Sequence, residues 1–320
     1  MRMKTGFAIL TAAALLAAAC SHDIDQPVSC TITLDPSNSY LAGEPVRFLM
    51  KGQSDNILFY SGETGAQYAF RDRYSVPVQQ VKSATLHMEY SHEWGVEGGL
   101  DVYISNSFNG LNGFNGVADR ATVQQMSEAG MPGWTKLDYE DSSDSKGTVV
   151  KEYDLSEYLE NCSIAIHWHP VNNGVSAQRT YKIAGELTLD IEGMPLSTSY
   201  LSGLNPIVVT MNEELNPYFK NNGTGSVNFE SEDMISCRGV AAGALKYGID
   251  AWIFTTPTAL NGVENDKGIA IKDLQNYLSS FEYSYAEPGN YTVTFVCINR
   301  NYAGYSRTEQ FIDLSIIEKW

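Results

Sequence analysis

The sequence lacks the short signatures of the common catalytic folds. Gly-x-Ser-x-Gly is missing, so there is no nucleophile elbow. His-Glu-x-x-His, the phosphate-binding P-loop and the dinucleotide glycine fingerprint are missing too. Positive charge is scarce: 21 Lys and Arg stand against 38 Asp and Glu in 320 residues, a net charge of −17. Without residues 1–19, which hold Arg2 and Lys4 and no acid, the remainder stands at −19. Such a surface repels polyanions, and no basic cluster offsets it, so nucleic acid is excluded as a partner. Cysteine is sparse and scattered. Cys30, Cys162, Cys237 and Cys297 lie far apart, which excludes a zinc ribbon or a Cys-x-x-Cys redox site. In an oxidising compartment they could form two disulfides, in any of three pairings, or remain buried thiols. No run after Cys20 approaches the ~20 apolar residues that a membrane-spanning helix needs. No cofactor is expected, and no motif marks an enzyme.

What is present starts at the N-terminus. A short basic start (Arg2, Lys4) precedes an apolar run from Phe7 to Ala19, the layout of a secretory signal. Leu15-Leu16-Ala17-Ala18-Ala19-Cys20 resembles a bacterial lipobox. The resemblance implies that residues 1–19 are removed and that Cys20 carries acyl chains, which bind membranes with ~0.8 kcal/mol per buried CH₂. The alternative is an ordinary signal cut near Ala19. Residues 20–27 read as a tether, in which Asp23 and Asp25 resemble the surface-export signal of Bacteroides-type lipoproteins. The expected location is the outer membrane, lipid-anchored and facing the cell exterior.

From Val28 onward the chain alternates as strands do, which predicts an all-β protein. Val46, Phe48 and Met50 share one face of a strand, and Ile57–Ser61 runs into the tight turn Gly62-Glu63-Thr64-Gly65. Gly43-Glu44-Pro45-Val46-Arg47-Phe48 and Ile57–Gly65 are similar to the first half of a polycystic-kidney-disease-type (PKD), immunoglobulin-like domain. Tyr285-Ala286-Glu287-Pro288-Gly289-Asn290-Tyr291-Thr292-Val293-Thr294-Phe295 is similar to the start of its second half. Between them, strands over Ala84–Tyr90, Leu100–Ser105, Ser163–His169 and Ile183–Ile191 resemble a jelly-roll-like β-sandwich, with a helical turn over Thr122–Ala129. The expected division is 28–77 for the first PKD-like strands, 78–192 for the sandwich, and 193–320 for a C-terminal β domain. The last of these carries PKD-like final strands that either complete 28–77 or stand apart. Together these stretches resemble a Bacteroides-type family of surface lipoproteins of unknown function that accompany glycan-import systems.

The densest chemistry is His167-Trp168-His169. On a strand Trp168 points with Ile164 and Ile166 into a core, while His167 and His169 share the opposite face with Ala165. That spacing could chelate a metal given a third ligand, for which His87, Glu89 and Asp101 qualify by the same alternation. The plain alternative is a solvated sandwich face, and a polar ligand-binding face including Tyr103 is the third. Trp94 and Trp134 fall in glycine-rich loops, where a flat ring could stack on a sugar or pack down on its own domain. Trp252 and Trp320 read as structural or terminal. Glu63 tempts as an acid, although its turn is a fold feature in the PKD-like reading.

The resemblance implies non-catalytic capture of a glycan, with outer-membrane import-channel components as partners and the membrane engaged through the lipid. A structural or adhesive surface protein is the alternative, and a carbohydrate-active hydrolase the third reading.

Overall fold

The structure is a computed structural model that describes residues 28–212, 225–231, 233–242, 248–301 and 304–319. The signal, Cys20, the tether and Trp320 lie outside them. The chain opens with strands β1 (Ser29–Leu34), β2 (Pro45–Gln53) and β3 (Asn56–Tyr60). It continues through β4 (Val81–Glu93), β5 (Leu100–Ser105), helix α1 (Gly116–Glu128), β6 (Thr135–Lys136), β7 (Lys146–Asp154) and β8 (Ser163–Trp168). Next come β9 (Thr180–Ile191), β10 (Ser197–Tyr200), β11 (Ile207–Thr210), β12 (Ser226–Ser231), β13 (Met234–Arg238) and β14 (Ala251–Phe254). The chain closes with β15 (Ile269–Lys272), β16 (Ser280–Ser284), β17 (Gly289–Asn301) and β18 (Gly304–Ile316). The protein is an all-β sandwich structure.

Two compact units emerge. One joins the chain up to Tyr74 with the chain from Glu264 onward, and the other is Ser75–Val263. In the first, β1-β2-β16 and β15-β3-β17-β18 form two antiparallel sheets. Their shared core is aromatic. Phe48 and Phe59 from the first part of the chain pack on Phe281 and Phe295 from the last, with ring centroids 4.9–6.5 Å apart. Val46, Phe48 and Met50 all point inward, at 1, 0 and 6% exposure, as the alternation predicts. Glu63 accepts the Tyr283 hydroxyl at 2.6 Å, and the Tyr285 hydroxyl donates to the Ser61 carbonyl at 3.0 Å, so the Gly62–Gly65 turn is built into the fold.

In the second unit β12-β13-β9-β4-β7, with β10 beside β9, faces the sheet β11-β14-β8-β5-β6 across one core. The division expected from the sequence ends this sandwich at 192. The structure carries 197–254 into the same unit, because β13 pairs with β9 and β14 pairs with β8. The helix is longer than the helical turn read over Thr122–Ala129. It starts at Gly116 because the Asn115 side chain accepts the Ala118 N–H and caps it.

Cys30 on β1 and Cys297 on β17 belong to different sheets of the first unit, and their thiols hydrogen-bond to each other. The bond from Cys297 holds the Cys30 thiol below its ordinary value. Cys162 and Cys237 are buried in the other unit, and burial alone pushes the Cys162 thiol up to about 12. Oxidised glutathione should therefore join Cys30 to Cys297 selectively. One S–S bond forms, and the two thiol protons and two electrons reduce the oxidant to two glutathione thiols. Peptide mapping should show this crosslink alone, with a gain of roughly 2–4 kcal/mol in stability. A crosslink through Cys162 or Cys237 in the folded chain would contradict the packing.

Candidate functional site

The outer face of the sheet β11-β14-β8-β5-β6 collects most of the residues singled out by sequence. Strand β8 is buried on both sides. Ile164, Ile166 and Trp168 enter the sandwich core at 1% exposure or less, as the parity argument requires. Ala165 on the opposite face is also fully buried, because Phe108, Trp252, Phe254 and α1 residue Val123 cover it. That face is therefore a second small core at one end rather than a uniformly solvated surface.

Its other end is polar. Asp101, His167 and Trp252 lie side by side on β5, β8 and β14, since Asp101 pairs with His167 and His167 with Trp252. The His167 ring stacks on the Trp252 indole at 3.9 Å and 7°, and the His169 ring follows at 4.2 Å. His167 Nε2 contacts Asp250 at 2.8 Å, and His169 Nε2 contacts Asp101 at 3.2 Å. Lys136 reaches Asp101 at 2.7 Å. The His169 hydrogen bond, helped by Lys136, holds the Asp101 carboxyl well below the ordinary carboxylate range. Burial pushes His167 below the ordinary imidazole value of 6.5 despite its bond to Asp250. Tyr103 sits two pairs along β5 on the same face, its ring 5.8 Å from Trp252, and burial raises its phenol. His87 does not join this group. It stands on β4 in the other sheet, beside Glu89 and Glu152 at 3.5 and 3.6 Å.

The two loop tryptophans part company. Trp134 is partly buried, packed on Phe108 and Phe254 at 5.0 and 5.6 Å. Trp94 is 68% exposed and sits at φ +58°, a conformation that costs a bulky residue strain. Its turn is held by Arg179, 1% exposed, which donates to the carbonyls of Trp94, Gly95, Ser142 and Asp144. The same guanidinium pairs with Asp141 at 2.9 Å, which in turn accepts Tyr181 Oη–H and Gly98 N–H. Sequence reading passed over Arg179 and Asp141, since a lone Arg in a loop carries no signal of burial.

It also passed over a cleft of about 530 Å³ in the first unit, lined by Gly62, Gln67, Tyr68, Arg71, Asn290, Thr292, Thr294 and Phe311. Strand register explains it. Thr294 of β17 lies between Tyr60 of β3 and Phe311 of β18 on one face. Tyr68 from a short 3₁₀ turn packs edge-on to both rings at 5.2 and 5.8 Å, and the Arg71 guanidinium covers the Tyr68 ring at 4.1 Å. Phe311 stays 59% exposed as an open wall. On the floor, Thr294 is 1% exposed and its Oγ1 has no hydrogen-bond partner among the described residues. A hydroxyl left so is costly unless a ligand or water completes it. The one sequence signal was the Tyr-Thr-Val-Thr alternation at 291–294, which sets both threonines opposite Val293.

Residues 19–160 match a domain of unknown function, DUF5017. No curated protein and no solved structure matches the chain. The DUF5017 segment is less than half of the chain and runs from the first unit into the second, holding Tyr68, Arg71, Trp94, Asp101, Tyr103 and Trp134. His167, His169, Thr294 and Phe311 lie beyond the DUF5017 match, so neither polar face is contained in it.

The Asp141–Arg179 pair yields a pH prediction. Burial raises the Asp141 carboxyl, but the Tyr181, Gly98 and Arg179 contacts outweigh it and leave it below its ordinary 3.8. A carboxyl depressed by folding stabilises the fold above that value, and the contribution is lost as pH falls through the folded value. Asp141→Asn should cost ~3–5 kcal/mol at neutral pH, because it strands the buried Arg179 charge. It should also flatten the loss of stability below pH 3.8, measured by denaturant melts. An unchanged acid limb would show that the pair carries none of it.

Proposed function

We propose that the protein captures a glycan without cleaving it, seated in the cleft between Tyr68, Arg71 and Phe311. The observation that carries this reading is the exposed Phe311 ring standing beside Thr294, whose buried hydroxyl is unpartnered among the described residues. Sugars have an apolar face that stacks on an aromatic ring and an edge of hydroxyls that needs donors and acceptors. The cleft offers both, with Gln67, Asn290 and Thr292 beside the ring. Its volume falls within the usual range for small-ligand sites. The neighbouring carboxylates support capture over hydrolysis. Glu309 is engaged by Tyr68 and Arg307, and Asp313 by Thr292, whereas a glycosidase needs two carboxyls facing the scissile bond.

The lipid anchor through Cys20, display on the outer face of the outer membrane, and service to an import channel belong to the same proposal. They rest on the lipobox-like sequence and on Asp23 and Asp25. A structural or adhesive role draws its support from elsewhere: Phe114 and Val117, at the start of α1, are 100% and 73% exposed, a pair that would suit contact with another protein.

Two experiments test the proposal. In binding assays over plant, mucin and microbial polysaccharides, Phe311→Ala and Arg71→Ala should each weaken capture by about tenfold, the equivalent of ~1.4 kcal/mol. Melting temperature should hardly move. Parental affinity in both variants, or no glycan retained by the parental chain, would remove the cleft from this role. For the anchor, fatty-acid labelling in cells should vanish in Cys20→Ala, and labelling that persists would contradict it.

A further inference from the structure

We propose that Asp101, His167 and His169 bind one divalent transition-metal ion of the zinc class. One ligand atom from each residue, a ring nitrogen of either histidine and a carboxylate oxygen, lies within 4.8 Å of the other two. Ligand atoms around a tetrahedral ion bound at ~2.0–2.1 Å stand roughly 3.4 Å apart, so only a modest contraction of side chains is required. The backbone supplies the rest of the order. His167 and Asp101 are directly paired on adjacent strands, and His169 follows two residues along the same face, its N–H bonded to the Gly99 carbonyl.

Chemistry selects the ion. Two imidazoles with one carboxylate suit zinc, copper or nickel better than calcium or magnesium, which favour all-oxygen shells. Three protein ligands leave a fourth position open to water or an added ligand.

The surroundings of His167 match what a metal-binding imidazole needs. A neutral ring that donates Nε2–H to Asp250 keeps its lone pair on Nδ1, and such a carboxylate contact commonly orients ligating histidines. Stacking on Trp252 fixes the plane of the ring and puts a fluorophore against the site. One group opposes the ion. The Lys136 ammonium sits 2.7 Å from Asp101, on a side chain 55% exposed and free to swing away. Lys136 and the metal therefore compete for one carboxylate, which distinguishes a metal site from a pair of surface His–Asp contacts.

The test uses the full chain, stripped with a chelator and titrated with zinc chloride while tryptophan fluorescence and heat are recorded. One zinc per chain should bind saturably. His169→Gln and Asp101→Asn should each weaken binding about tenfold or more. Lys136→Gln should tighten it, because Asp101 loses its competing cation. Thermal melts without zinc show whether each variant is folded, and the Lys136→Gln arm keeps the test decisive if the other two are not. Absence of saturable zinc binding overturns the site. So does binding that His169→Gln and Asp101→Asn leave unchanged in folded protein, as expected if zinc sits on the cysteine thiols instead. Binding that Lys136→Gln fails to tighten also overturns it.

Discussion

The first unit depends on one constraint: its aromatic core is assembled from both ends of the chain. Phe48 and Phe59 arrive early, Phe281 and Phe295 late, and none of the four can be buried by its own segment. Fully burying a ring such as Phe48, Phe59 or Phe295 contributes ~1.5–3 kcal/mol, and Phe281 adds a smaller share, so neither half has reason to order without the other. The two halves therefore form one unit, with Ser75–Val263 inserted between them in the sequence. The candidate glycan cleft inherits this constraint, since Gly62, Tyr68 and Arg71 come from the first half and Thr294 and Phe311 from the second.

The cleft itself is a product of strand packing. Gly62, at φ +85°, lets the turn after β3 approach the Thr292 backbone, where an added Cβ would stand 2.9 Å from it. That close approach lets the following 3₁₀ turn bring Tyr68 over the outer face of the sheet. Period-2 geometry then aligns Tyr60, Thr294 and Phe311 across three strands. The same geometry acts independently in the sandwich, where Asp101, His167 and Trp252 form a row on one face. Each surface carries polar groups held by a rigid sheet, so their arrangement is set before any ligand arrives.

Much of the fold was legible in the sequence because alternation is a local signal. Leu100–Ser105 reads directly as a strand, and the inward direction of Trp168 follows from counting by two. The long-range partners were not legible. Nothing near Ala251–Phe254 announces that it pairs with β8, so the covered half of the histidine face reads from sequence as solvated. Asp101, His87 and Glu89 qualify alike in the sequence as a third ligand beside His167 and His169, and only strand register separates Asp101 from the other two. The buried role of Arg179 and the joining of Tyr68 with Phe311 need contacts across 85 and more than 240 positions, which no local pattern encodes.

The most direct measure of the central claim is amide chemical-shift mapping of the isotope-labelled chain with an oligosaccharide prepared from a polysaccharide that it retains. Shifts should concentrate at Gly62, Gln67–Arg71, Asn290–Thr294 and Phe311, around one cleft. Shifts centred on the Trp94 turn or on the histidine face, with those residues silent, would contradict the account.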